Sequence, residues 1–330
     1  MPNIENPILN SPFAEPIRHF QFDEHGITDT IVPSRRQSSY FMPIAKPKKK
    51  GKQQLLDKDW VADREEANIF INGVRERVRM WREGGYKGVT RTTARLLEYW
   101  NDESRDKRLF FCQIEALETT IYITEVATKY GDAWIENDLG KASALANPLL
   151  HRMALKMATG SGKTVVMAML IAWHTLNKKA TPQDARFSDA FLIVTPGITI
   201  RDRLQVLLPY TSENYYKARD IVPPYQFDDL LQAQILITNY HAFILREKQQ
   251  APKITKNILN PTGLPSVFTE QPEDMVRRVC GPFAKKKNIV VLNDEAHHCY
   301  RNKPLDPDEM KELSTEARKE AEDANKEGKI

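Results

Sequence analysis

Met157-Ala158-Thr159-Gly160-Ser161-Gly162-Lys163-Thr164 sits between two apolar runs. Met153 to Met157, broken only by Lys156, precedes it, and Val165-Val166-Met167-Ala168-Met169-Leu170-Ile171-Ala172-Trp173 follows. The first run has the length of a buried strand and the second that of a buried helix, so the stretch predicts strand, tight turn, helix. Gly160 and Gly162 let the backbone turn where a side chain would block it, aiming successive N–H groups inward at anionic oxygens. The positive end of the following helix adds to such a site, Lys163 is long enough to reach β- and γ-phosphates, and the Thr164 hydroxyl suits magnesium. Thr159, Gly160, Ser161, Gly162, Lys163 and Thr164 are thus the candidate triphosphate residues. The full G-x-x-x-x-G-K-T form would have glycine where Met157 stands, so only the tail matches. Alone, that tail also fits an ordinary turn ahead of a helix, and a second motif has to decide.

Ile289-Val290-Val291-Leu292-Asn293-Asp294-Glu295-Ala296-His297-His298 is an apolar run of strand length ending in two adjacent carboxylates. Ligands of open α/β sheets bind outside the carboxyl ends of the strands. A strand here, beside the one feeding the loop, would carry Asp294 to the metal and Glu295 to the attacking water. Two acids after a core strand also fit a solvated loop. The company of a phosphate loop in the same chain is what favours the metal role.

Together, Gly-Ser-Gly-Lys-Thr and Asp294-Glu295-Ala296-His297 resemble motifs I and II of the superfamily 2 helicases and translocases. With Ile237-Thr238-Asn239-Tyr240, the wording around them is most similar to the ATPase subunit of type III restriction enzymes, from about Phe110 to Tyr300. The resemblance implies a RecA-like lobe that binds ATP and Mg2+. Lys163, Asp294, Glu295 and His297 would be its catalytic residues, with Thr164 and Asp294 on the metal. It further implies DNA, duplex or single strand, as partner, a methyltransferase (modification) subunit as a second one, and no membrane. A second lobe supplying arginines to the γ-phosphate and a nuclease part would follow farther along. The same residues would serve an RNA helicase equally well, and a non-motor P-loop binding module with a relic site would retain them.

Upstream, Phe110-x-x-Gln113-x-x-Ala116 resembles the adenine-reading glutamine segment of these helicases. A glutamine amide can give and take a hydrogen bond with adenine at once, selecting ATP over GTP. A glutamine on a helix surface is the plain alternative. Downstream, Ala190-Phe191-Leu192-Ile193-Val194 predicts a buried strand, and Thr195-Pro196-Gly197 after it looks like motif Ia, with Arg201 on the next helix. Gln234-Ile235-Leu236-Ile237-Thr238 predicts another, with Thr238 and Asn239 where motif Ib would lie. Such residues would touch phosphodiester groups without reading bases, although a plain strand-to-helix turn also fits Thr195 to Gly197. Tyr240 suits either a core position or a base stack.

Strands near residues 153, 191, 235 and 289, separated by helical segments, predict an α/β fold with a parallel sheet, its motif-bearing loops on one edge. Ahead of it, residues 56–145 read as a mainly helical region. An apolar face of Trp60, Ala67, Ile69, Phe70, Val74, Val78 and Trp81 gives way at Gly84 to Gly88 to two further helical stretches. Residues 1–55 show no sustained period and carry a basic knot, Lys46-Pro47-Lys48-Lys49-Lys50-Gly51-Lys52, which Arg35 and Arg36 can join. The lobe itself is expected over 146–303. The stretch 304–330, charged and helix-prone, stops without a cap, as a fragment would.

At 330 residues, 41% hydrophobic and 28% charged, the chain is long enough for a large packed core, and no apolar run nears the length of a membrane span. Three scattered cysteines offer neither a metal pair nor a disulfide framework. With no secretory pattern at the N-terminus, a cytoplasmic location is expected. The net charge of +4 permits a nucleic-acid partner without requiring one.

Overall fold

The computed structural model of the chain describes residues 8–23, 26–42, 64–146, 150–246 and 270–294. They fall into two compact units. The first takes the chain up to Trp173 and adds Arg219–Pro223, and the second takes His174–Ala218 and resumes at Pro224.

The helices α1 (Ile69–Glu83), α2 (Arg91–Asn101) and α3 (Phe111–Ile121) build the first unit, followed by a π-helical turn at Tyr122–Val126 and by α4 (Ala133–Ala146). Each of the first two starts where a polar side chain accepts an orphan amide: Asn68 from Ile71, and Thr90 from Thr93. Of the predicted apolar faces, Val74, Val78 and Trp81 on α1 and Leu96, Leu97 and Trp100 on α2 are buried, whereas Ile69 at the start of α1 is exposed, Ala67 belongs to a strand, and Trp60 lies outside the described residues. Buried indole N–H groups find acceptors, Trp81 on the Lys87 carbonyl at 2.8 Å and Trp100 on that of Ile221 at 2.8 Å.

Two departures concern the N-terminal part. Within the segment expected to be irregular, β1 (His19–Asp23) and β2 (Gly26–Val32) pair antiparallel, and β3 (Ser39–Met42) from that segment pairs with β4 (Arg64–Ala67), which lies in the region expected to be mainly helical. Arg64-Glu65-Glu66-Ala67 has a helix-favouring composition, but Asn68 caps α1, and the four residues before the cap form a ladder with β3 instead. The basic knot at 46–52 and the tail at 304–330 lie outside the described residues. A third departure is the strand expected at Met153 to Met157. Its residues alternate half-buried and exposed, as in a strand, yet among the described residues no ladder partner joins them. A strand exists only through a neighbour that satisfies its amides and carbonyls, and an apolar run does not name that neighbour.

The second unit holds a three-stranded parallel sheet in the order β6-β5-β7, with β5 (Ala190–Thr195) between β6 (Gln234–Asn239) and β7 (Val290–Asn293). All six residues of β5 are buried, as its unbroken apolar run predicts for the middle of a parallel sheet. Ala190, Leu192 and Val194 make a cluster with Phe283, against which the half-buried Leu236, Tyr240 and Phe243 pack. The short helices α6 (Ile198–Arg203), α7 (Tyr215–Ala218) and α8 (Phe227–Leu230) and the longer α9 (Pro272–Cys280) lie between the strands in sequence. The α/β class with a parallel sheet is as expected.

Two groups make stability measurable. Glu118, with no exposed surface, accepts from Arg82 at 2.6 Å and from the Tyr86 hydroxyl at 2.5 Å. Burial opposes the Arg82 charge, but the bonds and attraction from Glu118 outweigh it, and the Arg82 pKa rises. Removing one partner of a buried pair strands the other charge, so Glu118→Ala is expected to cost about 3–5 kcal/mol in urea unfolding. His174, on α5 (Lys163–Ala180), lies edge-on to Phe187 and Phe191, with ring centroids 6.0 and 6.2 Å away. Burial lowers its pKa from 6.5 to about 4. The unfolded chain therefore binds the proton first as pH falls. Stability contributed by neutral His174 is complete above about pH 6.5 and is lost towards pH 4, by about 3 kcal/mol. Unfolding midpoints across that window should fall steeply for the parent and more shallowly for His174→Phe.

Candidate functional site

The loop ahead of α5 has the backbone its sequence demands. Gly160 and Gly162 both lie in the left-handed region, at φ 78° and 85°, on either side of Ser161. Ser161 closes the turn on the Ala158 carbonyl through its N–H, at 3.3 Å, and its hydroxyl, at 2.6 Å. Val165 and Val166 both donate to the Gly162 carbonyl, at 2.8 and 3.2 Å, so the helix winds directly out of the loop and Lys163 and Thr164 stand in its first turn. Thr159 and Gly160 are exposed, and Ser161 through Thr164 are half-buried.

Gln113 reaches the loop from α3. It is 5% exposed, and both ends of its amide are engaged: the oxygen accepts from the Phe110 N–H at 3.0 Å, and the nitrogen donates to the Ser161 carbonyl at 2.9 Å. The first bond closes the N-terminus of α3, as a capping-box glutamine does. The second holds the phosphate loop. A Cβ on Gly162 would run into the Gln113 carboxamide, whereas one on Gly160 would meet open space. Gly162 is therefore required twice, once for its backbone angle and once for the room it leaves. The segment resemblance singled out Gln113, but no local signal names Ser161 as its partner.

At the sheet, register does the assembling. Thr195 pairs with Asn239, Val194 lies level with both Thr238 and Asn293, and the Asp294 N–H continues the ladder to the Val194 carbonyl at 3.0 Å. The carboxyl ends of three parallel strands thus present Thr195, Asn239 and Asp294 on one edge, the side where such sheets bind ligands. Thr195 itself is fully buried, and its hydroxyl donates to the Gly197 carbonyl at 3.1 Å, shaping the Pro196-Gly197 turn from within. The Asn239 side chain accepts from the Ala242 N–H at 3.1 Å and starts the helical turn after β6. Thr238 is half-buried, and Arg201, 41% exposed along its side chain, pairs with Asp202 at 3.0 Å. Glu295 and His297 lie outside the described residues.

The double demand on Gly162 is testable by thermal denaturation. Gly160→Ala meets backbone strain alone and should cost about 1 kcal/mol, while Gly162→Ala adds the collision and should cost more, about 2–4 kcal/mol. Adding Gln113→Ala should recover part of the Gly162→Ala loss, a coupling of about 1 kcal/mol or more, and none of the Gly160→Ala loss.

A family model described as "Type III restriction enzyme, res subunit" matches residues 106–324, well over half of the chain. No curated protein and no solved structure gives a significant match. The matched span runs from ahead of Gln113, through the loop and all three parallel strands, to beyond Asp294. With these elements placed, the chain belongs to the family of the type III restriction enzyme res subunit, within the superfamily 2 helicase-like ATPases, and carries the ATPase motor lobe of a helicase-like protein.

Proposed function

We propose that this lobe drives a DNA translocase, the restriction subunit of a type III restriction-modification system, acting with a methyltransferase subunit. The observation that carries the reading is the pair of left-handed glycines leading straight into α5 within the family span. That backbone cradles phosphate oxygens, which are recruited by Lys163 and the positive end of the helix. Asp294, at the carboxyl edge of a parallel sheet, is where such folds put ligands, and it and Thr164 are the residues that would hold Mg2+, a hard cation that prefers oxygen donors. The ion would neutralise charge building on the β- and γ-phosphates of ATP. Glu295 orients the attacking water, with His297 beside it in the motif. Gln113 reads adenine by exchanging one of its backbone bonds for the base. Pro196, Gly197, Arg201, Thr238 and Asn239 meet the phosphodiester chain, and Thr195 supports them from beneath. Among the described residues no helix is long and apolar enough to cross a membrane.

Calorimetry with ATP and Mg2+ separates binding from chemistry. Lys163→Ala should lose measurable nucleotide affinity. Glu295→Gln should bind ATP within about threefold of the parent yet lose hydrolysis by 100-fold or more, about 2.7 kcal/mol in the barrier. Duplex DNA, and not RNA, should stimulate hydrolysis by the parent. Equal affinity in Lys163→Ala and the parent, or equal stimulation by RNA, goes against the proposal.

A further inference from the structure

Ahead of the family span, the first unit contains a concavity of about 250 Å3 lined by Arg35, Arg36, Arg75 and Arg79 with Glu15 and Glu76. That is several times the ~30 Å3 a water molecule claims in the liquid. Arg75 and Arg79 stand one turn apart on α1, and Arg35 and Arg36 come from the link between β2 and β3. Four arginines and two glutamates thus share its wall.

The carboxylates are already engaged. Glu76 accepts from Arg79 at 2.6 Å, and Glu15 accepts from Arg35 at 2.9 Å and from Arg82 at 2.9 Å. Arg35 also binds both oxygens of Glu115 at 2.6 Å, and Arg36 lies over the Phe22 ring, 3.9 Å from its centroid. Arg75 is different. It is half-buried, and among the described residues it makes no hydrogen bond and no ion pair. Burial, and after it the like charge of Arg35, lowers its pKa, yet an arginine stays cationic at any ordinary pH. The fold therefore holds a partly desolvated cation beside another cation, with only through-space attraction from Glu115 and Glu15 and no bonded partner among the described residues, an arrangement that an anion from outside would relieve.

We propose that this concavity binds a phosphate group, with Arg75 as the principal donor and Arg36 and Arg79 flanking it. A guanidinium presents paired N–H groups that match two phosphate oxygens, and a concave wall of arginines concentrates the field on a doubly or singly charged oxyanion. The ligand chemistry is shared by a nucleic-acid phosphodiester and a free phosphate. The site is independent of the nucleotide loop, so neither assignment rests on the other.

The full chain can be tested as Arg75→Gln, with Arg75→Lys as the conservative variant, both in the Lys163→Ala background so that the nucleotide loop contributes nothing. One arm measures a fluorescent DNA duplex by anisotropy between about 50 and 200 mM salt, and the other measures inorganic phosphate by calorimetry. Arg75→Gln should weaken binding about three- to tenfold in at least one arm, with Arg75→Lys in between. In the duplex arm, the slope of log K against log salt should fall by about 1, as for one lost phosphate contact. Loss in the duplex arm assigns the site to a nucleic-acid backbone, and loss confined to the other assigns it to free phosphate. Unchanged affinity in both overturns the proposal. So does a clear drop in the melting temperature of ligand-free Arg75→Gln, because a guanidinium that waits for a ligand holds nothing inside the protein.

Discussion

One carboxamide ties the nucleotide loop to the helices beneath it. Gln113 gives its oxygen to the N-terminus of α3 and its nitrogen to the Ser161 carbonyl, so the loop and α3 are joined through one side chain. The bond exists only because Gly162 has no side chain to fill the space that Gln113 occupies. Left-handed glycines, a buried amide and the first turn of α5 are therefore one assembly. The Ser161 N–H closes the turn on the Ala158 carbonyl, and side chains add to the hold: the Ser161 hydroxyl on the same carbonyl and the Gln113 amide on the Ser161 carbonyl.

The sheet solves the same problem by register. Parallel pairing without a bulge brings strand ends level, so residues far apart in sequence, Thr195, Asn239 and Asp294, share one edge. The hydrogen bonds inside that edge sort its residues by task. Thr195 and Asn239 shape the turns that follow their strands, and Pro196 and Gly197 are left at the half-buried surface.

The first unit is dense in arginine, and most of those charges answer a carboxylate: Arg82 with Glu118 and Glu15, Arg35 with Glu115 and Glu15, Arg79 with Glu76. Against that background the half-buried Arg75, which feels Glu115 and Glu15 only through space and makes no ion pair among the described residues, is the exception. Stability networks place cations where carboxylates already wait, so a cation placed beside another cation points to a partner outside the chain.

Some of this was legible in the residues alone. The loop, the strands β5, β6 and β7 and most of the faces of α1 and α2 follow from local rules: glycine where the backbone must turn left, apolar runs of strand length, with β5 alone buried throughout, and helical spacing for a buried face. What depended on a distant partner was not. The Met153 to Met157 segment lacks a ladder neighbour among the described residues, Arg64 to Ala67 pairs as a strand despite its composition, and β1 and β2 arise in a stretch without strong period. The Gln113 bond to Ser161 and the isolation of Arg75 belong to the same class. Residue types decide locally which conformations are affordable, whereas hydrogen-bond and charge partners far along the chain are chosen only when tertiary structure brings them within reach.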